Sequence, residues 1–94
     1  MGTDVLDYPD VEIITPNDIL FASKVILFND NEHSFSEVIK QLIKAINCSY
    51  DRAEEYACEV NDKGKACVFD GDLVDCLRVS EILEEIALHT QIES

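Results

Sequence analysis

Basic residues are scarce in this sequence, with seven Lys and Arg against twenty Asp and Glu and a formal net charge of −13. A surface this acidic repels the phosphates of nucleic acids and of anionic membranes. The sequence also lacks a run of about eighteen apolar residues that could span a bilayer, and its N-terminus has no basic stretch followed by an apolar core. We therefore expect a soluble, cytoplasmic protein that binds neither nucleic acid nor membranes.

Histidines are also few, which limits the chemistry available. His33 and His89 are the two in the chain, and their positions suggest no Ser-His-Asp or Cys-His pairing. A metal site of His33 with Asp30 and Glu32 competes with a solvated loop histidine, which we favour because no second histidine is near in sequence. A chain of 94 residues makes one domain with a modest core. We expect no catalysis, no cofactor and no metal.

The four cysteines do not follow a metal-ligand spacing. Cys48, Cys58, Cys67 and Cys76 lie about ten residues apart, neither as two close pairs nor as a zinc knuckle. Three of them fall inside segments predicted as helix or strand. We therefore favour buried, reduced thiols that pack as small hydrophobic side chains over a disulfide or a metal site.

The first 23 residues differ in composition from the rest. Residues 1–23 carry five acidic and no basic residues, and Pro9 and Pro16 interrupt any regular element. We interpret this segment as a flexible acidic arm that precedes a domain over residues 24–94. Because the arm also contains several large apolar residues, a binding arm and a loosely packed leader are equally compatible with it.

The domain begins with a strand and two helices. Residues 25–28 form a short apolar run, and Ser34 with Glu37 forms a capping box that begins a helix reaching about Asn47. Ser49 caps a second helix, which Gly64 ends. The two helices are predicted to form a hairpin.

A strand over residues 65–69 follows, then a turn at residues 70–71, a third helix, and a last strand in which apolar and polar residues alternate from Leu88 to Ile92. The third helix is predicted to carry a group of apolar residues that includes Cys76, Leu77, Leu83 and Ile86. The order is βααβαβ. It predicts an α+β fold, a two-layer sandwich with three helices against a small, mainly antiparallel three-stranded sheet.

A polar elbow follows the first strand. Asn29 and Asp30 stand where the apolar run ends and the first helix begins, and their side-chain oxygens suit a cation or an amine. The helix presents Phe35 and Val38 beside them, and the second helix adds Ala57, Val60 and Asn61 to this wall. A polar clamp beside an apolar wall suits the first residue of a peptide. The same loop is also compatible with an ordinary strand-to-helix connection.

Several of these segments together resemble the ClpS adaptor family. The likeness rests on residues 24–30 (Lys-Val-Ile-Leu-Phe-Asn-Asp), a helix with Val38, then Arg52-Ala53, Val60 and Gly64-Lys65-Ala66. It covers roughly residues 22–93. The resemblance implies a small α+β adaptor, similar in fold to the C-terminal domain of the ribosomal stalk protein. Such adaptors bind proteins with bulky hydrophobic N-terminal residues (N-degrons) and deliver them to a Clp AAA+ unfoldase and its peptidase.

The resemblance also assigns roles to residues. Asn29 and Asp30, with Asn61, correspond to the clamp on the substrate amine. The candidate side-chain pocket consists of Asn31, His33, Phe35, Val38, Ala57, Val60 and Leu88. The arm, residues 1–23, would engage the unfoldase during delivery.

The chain departs from the family pattern at four of these positions. Asn61 replaces a histidine that helps to hold the amine, and Asn31 replaces a second acidic residue. Ala57 stands where Met is frequent, and Phe35 also replaces Met. An Asn oxygen can accept a hydrogen bond nearly where an imidazole nitrogen would, so amine binding could survive.

Two alternatives stay open beside the N-degron adaptor. The first is a ClpS-like regulator that docks on the unfoldase and has lost N-degron recognition through Asn61. The second is an interaction domain of the ribosomal-stalk type, which would require a basic or neutral face and an upstream dimerising helix. The sequence shows neither of these two features.

Overall fold

A computed structural model describes residues 23–94. Its elements are β1 Ser23–Phe28, α1 Phe35–Ile46, α2 Tyr50–Lys63, β2 Lys65–Gly71, α3 Leu73–Glu84 and β3 Thr90–Glu93. This order confirms the predicted α+β fold with three helices and three strands. The predicted arm lies outside the described residues except for Ser23, which is the first residue of β1.

The sheet has the order β2-β1-β3, and both pairings are antiparallel. The first strand is therefore central, which explains why its sequence is the most apolar of the three. Val25 pairs with Phe69 and Ile26 with Cys67, so β2 carries one extra residue at a bulge. The bulge falls beside the largely buried middle of β1.

The helices and the inner face of the sheet enclose one hydrophobic core. Val25 and Leu27 enter it from β1, because alternate residues of a strand face the same side. The largest fully buried side chains are Leu27, Leu42, Leu83, Val25, Val68, Val79 and Cys76. Every strand and helix that borders the elbow contributes to this core or packs against it.

The predicted helix boundaries are confirmed where caps define them. The Ser34 side chain accepts a hydrogen bond from the Glu37 backbone, and the Glu37 side chain accepts one from the Ser34 backbone. The Ser49 side chain caps α2 by accepting one hydrogen bond from the Arg52 backbone, and Gly64 ends the helix with a left-handed φ of 87°. Each cap uses chemistry that is local in sequence, which is why the sequence shows it.

The region around α3 differs from the prediction. The two residues predicted as a turn, 70–71, belong to β2, which continues to Gly71. Asp72 then caps α3. The helix ends at Glu84, so Ile86 and Leu88 lie in the turn before β3. Leu77 is 48% exposed, since it lies one residue, or about 100°, round the helix from buried Cys76.

All four cysteine thiols are free, and the four side chains differ in their burial. The prediction of buried thiols is right for Cys76 and wrong for Cys58 and Cys67, which are exposed, while Cys48 is half-buried. Cys67 alternates with the buried Ala66 and Val68 along β2 and therefore faces the other side of the sheet. Residue type alone did not separate these environments.

Ala87 adopts a left-handed backbone conformation with φ 65° in the turn between α3 and β3. Left-handed backbone costs a residue with a Cβ about 1–2 kcal/mol, whereas Gly enters it freely. We expect Ala87→Gly to raise the free energy of unfolding by up to about 1 kcal/mol, because relief of strain exceeds the entropy that Gly adds to the unfolded chain. Ala87→Val should lower it by at least about 1 kcal/mol. Urea denaturation measures both, and losses of equal size would contradict this account.

Candidate functional site

Two backbone hydrogen bonds hold the elbow, which we define as residues 29–33, at the end of β1. The Phe28 N–H donates to the His89 carbonyl over 3.0 Å, and the Asn29 N–H donates to the Gly64 carbonyl over 2.9 Å. The end of the central strand is thus tied to the turn before β2 and to the turn before β3. Three loops that are distant in sequence meet at one place.

The Asp30 carboxylate organises the elbow. Its Oδ1 accepts hydrogen bonds from the Glu32 N–H at 2.9 Å and the His33 N–H at 3.0 Å, and its Oδ2 lies 2.8 Å from His33 Nδ1. Partial desolvation, which alone would raise the pKa of Asp30, is outweighed by these hydrogen bonds, and the pKa lies below its ordinary value. Asp30 is therefore ionised at neutral pH, with three of its roughly four acceptor positions in use.

His33 is largely buried, with only 11% of its side chain exposed. Nδ1 faces the Asp30 carboxylate, and Nε2 faces the carbonyl of Ile86 in the turn after α3. The hydrogen bond to Asp30, followed by the one to Ile86, raises the pKa of the imidazole. The prediction of a solvated loop histidine is wrong, because the partner that covers the ring lies 53 residues away.

A cavity of about 60 Å³ opens beside the elbow, between α1, α2 and the turn before β3. It is lined by Leu27, Phe28, Asn29, Asp30, His33, Phe35, Val38, Ala57, Val60, Asn61 and Leu88. All three residues of the predicted amine clamp therefore border one space with six of the seven predicted pocket residues. Their part in binding a substrate stays a prediction.

Asn31 is the predicted pocket residue that does not line the cavity. The chain bends directly after Asp30, whose Oδ1 draws in two backbone N–H groups from the next three residues, and Asn31 is left exposed. Its place in the elbow could be predicted from the sequence. The bend that removes it from the cavity depends on side-chain hydrogen bonds.

The cavity has a buried apolar wall and a polar rim. Ala57, Val60 and Leu88 are 3%, 5% and 3% exposed, whereas Phe35 is 44% exposed. Leu27 and Phe28, which the sequence analysis did not assign to the site, also line it from the end of β1. The sequence could have predicted their place in the site, because the last residues of an apolar strand border the loop that follows it. The arrangement can hold an apolar group against the wall and a hydrogen-bond donor at the rim.

A second, wider groove of about 320 Å³ lies at the other end of α2, against β2. Arg52 and Tyr56 contribute to its lining, with the guanidinium 5.0 Å from the ring centre. None of the predicted site residues borders it.

Within residues 23–94, no three His, Cys, Asp or Glu side chains are grouped so that they could hold a metal ion. No helix in the same stretch has the length and hydrophobicity to cross a membrane.

The fold is that of a small α+β domain with a cavity beside its elbow. The family model for the ATP-dependent Clp protease adaptor protein ClpS matches residues 22–92, and the chain belongs to the ClpS family. The match includes the elbow and every cavity-lining residue.

The chain is also similar to parts of two much longer human proteins. It is 31% identical over 74 residues to the E3 ubiquitin-protein ligase UBR2 of Homo sapiens, which covers 79% of this chain and 4% of that protein. It is 28% identical over 83 residues to the E3 ubiquitin-protein ligase UBR1 of Homo sapiens, covering 88% of this chain and 4% of that protein. The chain thus spans about 4% of the length of the curated relatives it matches.

The contacts of His33 and Asp30 predict how stability depends on pH. A raised imidazole pKa contributes stability that is complete below the ordinary value of 6.5 and is lost as the pH rises through the folded value. A lowered carboxyl pKa contributes stability that is present above 3.8 and is lost as the pH falls through the folded value. Both contributions are complete between these two ordinary values.

We therefore expect the stability difference between the wild type and His33→Gln to be largest between about pH 3.8 and 6.5 and to shrink as the pH rises further. Urea denaturation at several pH values measures it. A difference that stays constant with pH would contradict the charged bridge.

Proposed function

We propose that this domain recognises proteins by a free, bulky hydrophobic N-terminal residue and acts as a non-enzymatic adaptor for their degradation. The observation that carries the proposal is a cavity in which carboxylate and amide oxygens adjoin a buried apolar wall. The α-ammonium group of a first residue brings one charge and three donors, and the side chain of that residue begins two bonds from the nitrogen. The two halves of the cavity match these two groups.

The acceptors must share the amine among them. Asp30 has about one acceptor position left after its contacts within the elbow. Asn29 and Asn61 are exposed and can supply an oxygen each. Asn61 also lies in the last turn of α2, where the helix dipole places partial negative charge. We propose that Asp30 supplies the charge and that the two asparagines complete the shell of acceptors.

The proposed adaptor works by tethering rather than by chemistry. The cavity holds the substrate while another surface, together with the N-terminal arm over residues 1–23, holds the recipient, which raises the local concentration of substrate there. The family description favours a Clp AAA+ unfoldase as the recipient. A second candidate is ubiquitin-ligase machinery, which the similarity to UBR2 and UBR1 favours.

The clamp is tested with peptides that differ only at the N-terminus. We expect a peptide that begins with Leu or Phe to bind and its N-acetylated form not to bind, because acetylation removes the charge and two of the donors. Asp30→Asn should weaken binding of the free amine by about 2 kcal/mol, while Asp51→Asn at the far end of α2 makes the same charge change without effect. Calorimetric titration measures these affinities. Equal affinity for the free and acetylated forms would exclude the amine clamp.

Asn61 separates the adaptor from the regulator that has lost recognition. We expect Asn61→His to strengthen binding of free-amine peptides by about 1 kcal/mol, the size of one added hydrogen bond, and to leave acetylated peptides unbound. Cys58→His, an exposed position on the same helix outside the cavity, is the matched control. A wild type that binds nothing, together with an Asn61→His variant that binds, would favour the regulator.

The recipient is tested with purified components. We expect the chain, saturated with a Leu-first peptide, to form a saturable complex with the N-terminal domain of a Clp unfoldase. Deletion of residues 1–22 should leave peptide binding intact and impair hand-over. If the chain binds the peptide but forms no complex with the unfoldase, the result favours ubiquitin-ligase machinery as the recipient. A reconstituted ubiquitylation reaction on a Leu-first test protein, with and without the chain, then decides.

A further inference from the structure

The ring of His33 lies between two groups that can only accept hydrogen bonds. Nδ1 faces the Asp30 carboxylate at 2.8 Å, and Nε2 faces the Ile86 carbonyl. A neutral imidazole has one donor nitrogen and one lone pair, so one of its nitrogens would point a lone pair at an oxygen. Only the imidazolium donates to both. The burial of the ring makes this requirement strict, because little water can replace a missing donor.

The two acceptors belong to different parts of the site. Asp30 lines the cavity and is the charged member of the proposed amine clamp, whereas Ile86 lies outside the lining, two residues before Leu88, a buried residue of the apolar wall. Between Ile86 and Leu88, Ala87 has a left-handed φ of 65°. His33 therefore joins the polar side and the apolar side through one rigid ring.

The charges around the ring are consistent with this bridge. Asp30 on the elbow and Glu37 on the first turn of α1 are the carboxylates that act on it, and the carbonyl of Ile86 faces it from the turn after α3. The imidazolium offsets part of this negative charge while it leaves the second acceptor position of Asp30 Oδ2 available. A ring that only lined the cavity would need neither contact.

We propose that His33 is a positioning residue, whose imidazolium holds the Asp30 carboxylate at a fixed place relative to the Leu88 wall. The amine acceptor and the apolar wall then keep the spacing that an N-terminal residue requires. This inference rests on the proposed recognition of free N-terminal residues and deepens it. The role of His33 is indirect, since it acts on substrate through Asp30 and Leu88.

The test uses His33→Ala, which removes both hydrogen bonds, and His33→Gln, whose amide NH₂ can donate to two acceptors. The control is Tyr50→Ala, which removes a ring from an exposed position at the start of α2, outside the cavity lining. Titration with a Leu-first peptide should show an affinity loss of about tenfold or more for His33→Ala. His33→Gln should recover part of the loss, and Tyr50→Ala should stay within about twofold of the wild type.

The ring itself is observed by ¹⁵N–¹H NMR of the imidazoles in the ligand-free wild type at neutral pH. We expect both His33 ring nitrogens to carry protons and this signature to weaken in Asp30→Asn. If His33→Ala does not fold, the ring spectrum and His33→Gln carry the test. A neutral His33 ring, or a folded His33→Ala variant with wild-type affinity, would overturn the positioning role. If both ring protons are present and the wild type binds no free-amine peptide, the proposed function itself fails and the positioning role falls with it.

Discussion

The site depends on how the central strand ends. The last backbone N–H of β1 and the first of the elbow bond to carbonyls in two different turns, those of His89 and Gly64. Because β1 is the middle strand, these bonds bring the start of α1, the end of α2 and the turn after α3 to one point. An edge strand could not do this, since it has a partner on one side only. The location of the cavity therefore depends first on the strand order and only then on the side chains that line it.

The hydrogen bonds that hold Asp30 in place compete with those that it could accept from a ligand. Each hydrogen bond that the carboxylate accepts within the elbow fixes its position, and each one also occupies an acceptor that a substrate could use. The compromise leaves a well-placed charge with limited hydrogen-bonding capacity. Under the proposed amine recognition, neighbouring amides supply the remaining acceptors, which would explain why exposed Asn29 and Asn61 are polar and uncharged in a chain of net charge −13.

The sequence predicted the features whose causes are local. Ser34 with Glu37, Ser49 and Gly64 define helix ends within a few residues, so the order of elements and the location of the elbow followed from them. The environment of His33 could not be predicted, because Ile86 approaches it only through the packing of α3. Likewise, Leu88 was expected in a strand and lies in a turn, yet it lines the cavity. The residues of the cavity were easier to predict than the bonds that arrange them.

The proposed recognition of a first residue constrains the substrate and leaves the recipient open. Nothing in an amine clamp and an apolar wall distinguishes delivery to an unfoldase from delivery to a ligase, since both need only that the substrate be held nearby. The similarity to UBR2 and UBR1 extends over about 4% of their length, so it can account for only part of what a ligase does. The proposed recognition fits within a domain of this size, because it requires one elbow, one helix hairpin and one turn. Membership in the ClpS family therefore argues for the pocket more strongly than for any one machine that receives its cargo.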